Sequence, residues 1–303
     1  MVSPTQAQTQ ARTIARPAQR RQPRATSRRL RVTATQLTAA VGVTLVTLLI
    51  LIAVFAPFIA PYDPAERVGR PFSPPSAEHA LGTNDIGHDI LSELIFGARI
   101  SLAVGLTAGL ITVVIGTTVG LLAGYFPRLG SILMRFTDVV LVLPFLPLLI
   151  ILAAYLGRSL MNTVLIIGLL IWASTARLIR SQVMVISSQD FVLAARSLGA
   201  THRHIIIRHV LPQVMLLSIG EFVQVVGQAI LLEASLSFLG LGDPLQKSWG
   251  TVLYWAQVRG AFLSPAWAWW VLPPGLLIGL ATLGFALIGF TLEQRFNPRL
   301  RQR

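Results

Sequence analysis

The chain has 303 residues, 53% hydrophobic and only 12% charged, which is more apolar surface than a soluble domain of that length can bury, so a bilayer is its solvent. Twenty-five basic residues, all arginine but one, oppose 12 acidic ones, yet they fall between apolar runs instead of along one face, which excludes a nucleic-acid surface. The absence of cysteine excludes disulfides, thiolate metal sites and thiol catalysis.

Residues 1–34 hold eight arginines and no acidic residue, a composition that predicts a disordered tail. The first apolar run, 35–60, begins too late and is too long for a cleavable signal, so it is read as an anchor. After an external segment, 61–99, five further runs reach the roughly 20 residues a helix needs to cross a bilayer: 100–126, 139–157, 160–181, 214–242 and 267–292. Gly105, Gly109, Gly116, Gly120 and Gly124 draw a stripe down the second run that lets other helices approach closely. Pro144 and Pro147 predict a bend in the third. The aromatic group Tyr254, Trp255, Trp267, Trp269 and Trp270 marks the entry of the sixth run as interfacial anchors do.

Six spans put both termini on one side. With the N-terminus inside, 19 of the 25 basic residues are cytoplasmic, so the positive-inside rule predicts an all-α integral membrane protein of the cell membrane with cytoplasmic N- and C-termini, the latter a tail of residues 293–303.

The loop 187–213, between the fourth and fifth runs, is patterned as two short helices. Ser188 is placed to cap the first, Asp190 suits its positive dipole end, and Gly199 suits a left-handed close. Thr201 is placed to cap the second, which is expected to end by Leu211 because Pro212 disfavours helical geometry before it. Two helices joined by a sharp corner make a compact knob that can transmit a rigid-body push.

The stretch Leu193, Ala194, Ala195, then Gly199, then Leu211 and Pro212 resembles the EAA loop of binding-protein-dependent ABC permeases, with Leu193 in place of the family's Glu and His209 at its Ile position. Ala60–Pro64, Leu81–Thr83, Gly87, Asp89, Leu236–Gly242, Trp249, Gly250 and Asn297–Leu300 are similar to the C-type subunit of dipeptide, oligopeptide and nickel importers. Asn84, His88 and Glu93 depart from that group's pattern. The resemblance implies a type I importer permease fold with a MetI-like core over 100–292. It implies as partners a second homologous permease, two ATP-binding subunits that use ATP and Mg, and an external solute-binding protein, with peptides as cargo. It places ATPase coupling on Ala194, Ala195, Leu198, Gly199, Ala200, Thr201, Leu211 and Pro212. Independently, the sole lysine, Lys247, lacks the glycines of a phosphate-binding loop, so ATP hydrolysis falls to another chain.

Glu221, Gln224, Gln228 and Ser235 form a polar stripe on the fifth run. Either the stripe lines the translocation path, or Glu221 pairs with Arg177 or Arg180 near the cytoplasmic interface. Asp85, His88 and Asp89 have metal-ligand spacing, but a histidine beside carboxylates in an exposed loop is ordinary, and no metal site is assigned; His202, His204 and His209 read as partner-facing surface. A nickel or other small-solute importer of the same architecture, an ion-coupled transporter using Glu221, and a passive channel are the rival readings.

Overall fold

The computed structural model describes residues 26–296, and side chains over 36–294. It divides into two compact units, Met1–Leu37 and Thr38–Arg303. In the first, the described residues are helical from Thr26, inside the stretch expected to lack structure. A helix already nucleated by the apolar run gains one hydrogen bond per residue as it extends backwards, and no proline lies between Thr26 and Val54 to stop it. The earlier tail and the segment after Phe296 lie outside the described residues.

The helices are α1 Thr26–Val54, α2 Ala56–Ile59, α3 Ile90–Tyr125, α4 Pro127–Val142, α5 Phe145–Leu156, α6 Leu160–Ser187, α7 Asp190–Ser197, α8 His202–Ile205, α9 Leu211–Phe238, α10 Trp249–Val258 and α11 Leu272–Phe296. Five helical stretches are long and apolar enough to span a bilayer, six if the bent pair α4–α5 counts as one.

The second span starts ten residues before the predicted Ile100. Asp89 caps α3, its carboxylate accepting from the Ser92 amide at 2.8 Å. The polar residues that broke the apolar pattern are neutralised inside the fold: Glu93 is buried and meets Lys247 and the Asn84 amide. At 36 residues α3 is about 54 Å long, well beyond a hydrocarbon core of about 30 Å.

The glycine stripe divides between two neighbours. A Cβ at Gly105 or Gly109 would meet Ile230 or Val226 of α9 at 2.6 and 3.0 Å. One at Gly116, Gly120 or Gly124 would instead meet Thr175, Ala176 O or Val183 of α6 at 2.7, 2.6 and 2.6 Å. The seven-residue step in the stripe is where α3 changes partners.

The third run is not the single span 139–157. Residues Val139–Val142 end α4, and α5 leaves at 84° to it. Pro144 causes the break: it sits extended at φ −66°, ψ 107° and holds Leu143 extended as well, whereas Pro147 lies in the first turn of α5, where its missing donor costs no helical bond. The fourth run continues as helix to Ser187 and the fifth stops at Phe238. Of the expected interfacial aromatics, Trp255 and Trp267 are exposed, but Trp270 is fully buried in a cluster with Trp249 and is core.

Candidate functional site: the coupling corner and the polar face of the fifth span

The loop 187–213 forms the two-helix corner. Gln189, not Ser188, takes the N-cap position of α7, because the Ser188 hydroxyl turns back to donate to Val185 O at 2.9 Å. At the other end Gly199 is left-handed (φ +83°), its amide donates to Arg196 O and the Ala200 amide to Ala195 O, each at 3.0 Å. That bond pair is the Schellman closure, which stops a helix sharply and reverses the chain. Thr201 then caps α8, accepting from the His204 amide at 3.3 Å.

The second helix of the corner does not end at Leu211. It passes through a π turn, Ile206–Val210, straight into α9. The Leu211 amide reaches Ile206 O, and this widened turn takes the carbonyls away from the Pro212 ring, which a regular helix would clash with. The corner and the fifth span are therefore one continuous helical body.

Val192, Ile205, Val210 and Val214 are fully buried against Ile179, Val183, Ile186 and Tyr125, which fixes the corner to its own spans. Its outer surface is open and mixed: Leu198 is 89% exposed, with Leu193, Ala194 and Ile207 exposed and Arg196, Arg203 and Arg208 exposed among them. Ala195 and Ala200 are half-buried, Leu211 is half-buried and Pro212 exposed. Leu198 is thus an apolar protrusion on a rigid turn.

On α9, Gln224, Gln228 and Ser235 lie exposed in one row with Leu231, while Glu221 is half-buried and accepts from Thr175 Oγ1 at 3.1 Å. Arg177 is committed elsewhere, to Asp138 at 2.5 Å, and the buried Nε of Arg180 has no hydrogen-bond partner among the described residues. No ion pair between Glu221 and either arginine is present. Ser235 donates to Leu231 O of its own helix at 2.7 Å, whereas the amides of Gln224 and Gln228 need a protein neighbour or water, because hydrocarbon offers them no partner.

Asp85, His88 and Asp89 do not converge. Asp85 pairs with Arg259 at 2.8 Å, His88 Nδ1 lies 2.9 Å from Lys247 Nζ, and Asp89 serves as helix cap and partner of His79 at 3.1 Å. Among the described residues no group of three metal-ligating side chains occurs. His202 meets Tyr125, and His204 packs edge-on to His209 at 5.7 Å.

Two polar clusters went unassigned in the sequence. Glu93, Lys247, His88 and Asn84 fasten the external segment to the loop after the fifth span, beside a cleft of about 110 Å³ that also touches Asp85 and Arg259. Glu233, 2% exposed, accepts from Ser237 at 2.7 Å and Ser101 at 3.3 Å, and Ser101 also accepts from the Trp249 amide. A carboxylate inside an apolar run and a single lysine in the whole chain were the available signals.

Residues 116–302 match the family described as binding-protein-dependent transport system inner membrane component, and residues 36–75 match the N-terminal transmembrane domain of oligopeptide transport permease C. The chain belongs to this family. It is a multi-pass permease subunit of an ABC importer in the inner membrane. The permease is 40% identical over 270 residues to the di/tripeptide transport system permease protein DppC of Pseudomonas aeruginosa, covering 86% of this chain and 88% of that one. It is 37% identical over 261 residues to the glutathione transport system permease protein GsiD of Pectobacterium atrosepticum (84% and 85% covered). With the oligopeptide transport system permease protein OppC of Bacillus subtilis it shares 33% over 267 residues (87% and 86%). A solved structure of the MetNI methionine ABC transporter, inward facing, aligns with a TM-score of 0.54 at 16% identity over 67% of the permease and 97% of the solved chain, a likeness of fold.

Proposed function

We propose that the permease forms half of a translocation path for short peptides, that an ATP-binding subunit docks on the corner Leu198–Thr201, and that a second, homologous permease completes the path. Two ATP-binding subunits hydrolyse ATP with Mg on the cytoplasmic side, and an external solute-binding protein delivers the cargo. Both termini are cytoplasmic, the bent pair counting as one of six spans.

The observation that carries this reading is the exposed Leu198 on a Schellman-closed turn whose second helix continues unbroken into the fifth span. A groove that grips the turn can move that span as a lever, with no flexible joint to absorb the push. With Leu193 in the place of an acidic residue, shape and apolar contact contribute more of the docking than charge. The open row Gln224, Gln228 and Ser235, with Glu221 at its inner end, supports a wet path on the same helix. The names of the relatives that carry dipeptides, tripeptides and oligopeptides support peptide as the cargo class.

The test is co-purification followed by reconstitution. A complex containing an ATPase and a second permease, with dialanine uptake that requires ATP and an added binding protein, is expected. Dialanine uptake by this chain alone, driven by an ion gradient, would refute the reading.

A further inference from the structure

We propose that Tyr125 and His202 form a strut that carries movement of the coupling corner into the second span, alongside the direct backbone route into the fifth. The inference rests on the docking role proposed above for the corner.

Backbone continuity gives the corner two outputs: the fourth span α6, which two residues separate from α7, and the helix that begins at His202 and runs through the π turn to Phe238. The second span has no such connection; α4, α5 and α6 separate it from the corner along the chain. Side chains make the link. Tyr125 is the last residue of α3 and only 6% exposed. Its hydroxyl lies 3.0 Å from His202 Nδ1, and the two rings meet edge to face at 5.6 Å. Phe126 packs on the same imidazole at 5.8 Å. From the other coupling helix, Arg196 places its guanidinium 5.8 Å over the Tyr125 ring. One aromatic ring thus touches both arms of the corner, on either side of Gly199.

The surrounding contacts are apolar: Ile179, Val183, Val192, Ile205 and Val210 share the cluster with Tyr125. Apolar surfaces hold together without preferring one register over the next, whereas a hydrogen bond and a cation over a ring face are directional and resist sliding. Above the strut, Gly124, Gly120 and Gly116 press α3 against α6, and Gly109 and Gly105 press it against α9. A displacement delivered at Tyr125 therefore reaches the centre of the permease.

Tyr125→Phe keeps the ring and deletes the hydroxyl. In the reconstituted complex with its ATPase, second permease and binding protein, assembly and ATP hydrolysis are expected to persist. Dialanine taken up per ATP should fall about three- to tenfold, the factor expected for one lost hydrogen bond. His202→Ala should give a similar fall, and the double variant no further one, because both remove the same bond. Tyr125 is buried, so its effect cannot come from a lost contact with a docked ATPase. An unchanged ratio in Tyr125→Phe, or losses that multiply in the double variant, would overturn the strut. If Tyr125→Phe fails to assemble, His202→Ala decides by the same ratio read beside His204→Ala, a likewise exposed neighbour outside the Tyr125 bond: a fall in His202→Ala alone supports the strut, and an equal fall in both overturns it. A wild-type complex whose uptake needs no ATPase would instead defeat the docking reading itself.

Discussion

Replacing Gly199 by valine isolates the contribution of the corner's backbone from that of its contacts. Gly199 sits at φ +83°, and an added Cβ meets nothing within 4 Å, so a larger side chain has room and the whole cost is conformational. A residue with a Cβ pays about 1–2 kcal/mol in the left-handed region, and a β-branched one more. The Schellman bonds Gly199 N to Arg196 O and Ala200 N to Ala195 O exist only in that conformation. At about 2 kcal/mol the closed corner loses about thirtyfold in population against opened forms. The rest of the permease is untouched, since α7 packs through Val192 and α8 through Ile205, both remote from the Gly199 Cβ position. Purified in detergent, Gly199→Val should insert and melt as the wild type does. It should retain less ATPase on size-exclusion chromatography, and the complex that remains should hydrolyse ATP with reduced uptake. Gly199→Asn, which tolerates the left-handed region better, should fall between the two. Wild-type assembly and coupling in Gly199→Val would refute the argument that the corner's geometry transmits the stroke.

Gly120→Leu drives a side chain into Ala176 O and Ile179 of α6, where a Cβ alone would sit at 2.6 and 2.7 Å; thermal unfolding in detergent should show severe destabilisation or no folded protein. Gly279→Ala, with nothing within 4 Å, should leave that melt unchanged or slightly raised. Lys247→Ala removes the cation beside the buried Glu93 carboxylate, leaving it the Asn84 amide, and should lower stability by about 1–3 kcal/mol, less than the loss of a fully buried pair because Lys247 is 32% exposed. Adding Glu93→Gln should recover most of that loss, which a double-mutant cycle of melting temperatures reads directly. Glu221→Gln should lower dialanine uptake with assembly intact, and undiminished uptake would remove Glu221 from the path.

The apolar runs, the glycine stripe and the capped corner were legible because each depends on local chemistry: hydrocarbon length, the absence of a Cβ, a hydroxyl or glycine at a helix end. Gly199 and Thr201 take the backbone roles their residue types suggest. Where local chemistry is ambiguous, tertiary contacts decide. Ser188 has an oxygen fit to cap α7 but donates to Val185 instead, and Pro212 looks like a helix stop until a π turn accommodates it. Glu93 reads as part of the external segment 61–99, outside the second span, because its neutralising partner, Lys247, lies 154 residues away in sequence.

Sequence alone determined that this chain lives in a membrane, that its loop 187–213 is a helical knob, and that its second span packs closely on other helices. Those conclusions follow from periodicity and side-chain size, which each segment carries with it. The tertiary structure decided that the stripe serves two different helices, that the corner and the fifth span are one rod, and that Tyr125 bridges both arms of the corner to the second span. Such facts depend on which distant surfaces meet, and a polar group's meaning in an apolar span is set by the partner that folding brings to it.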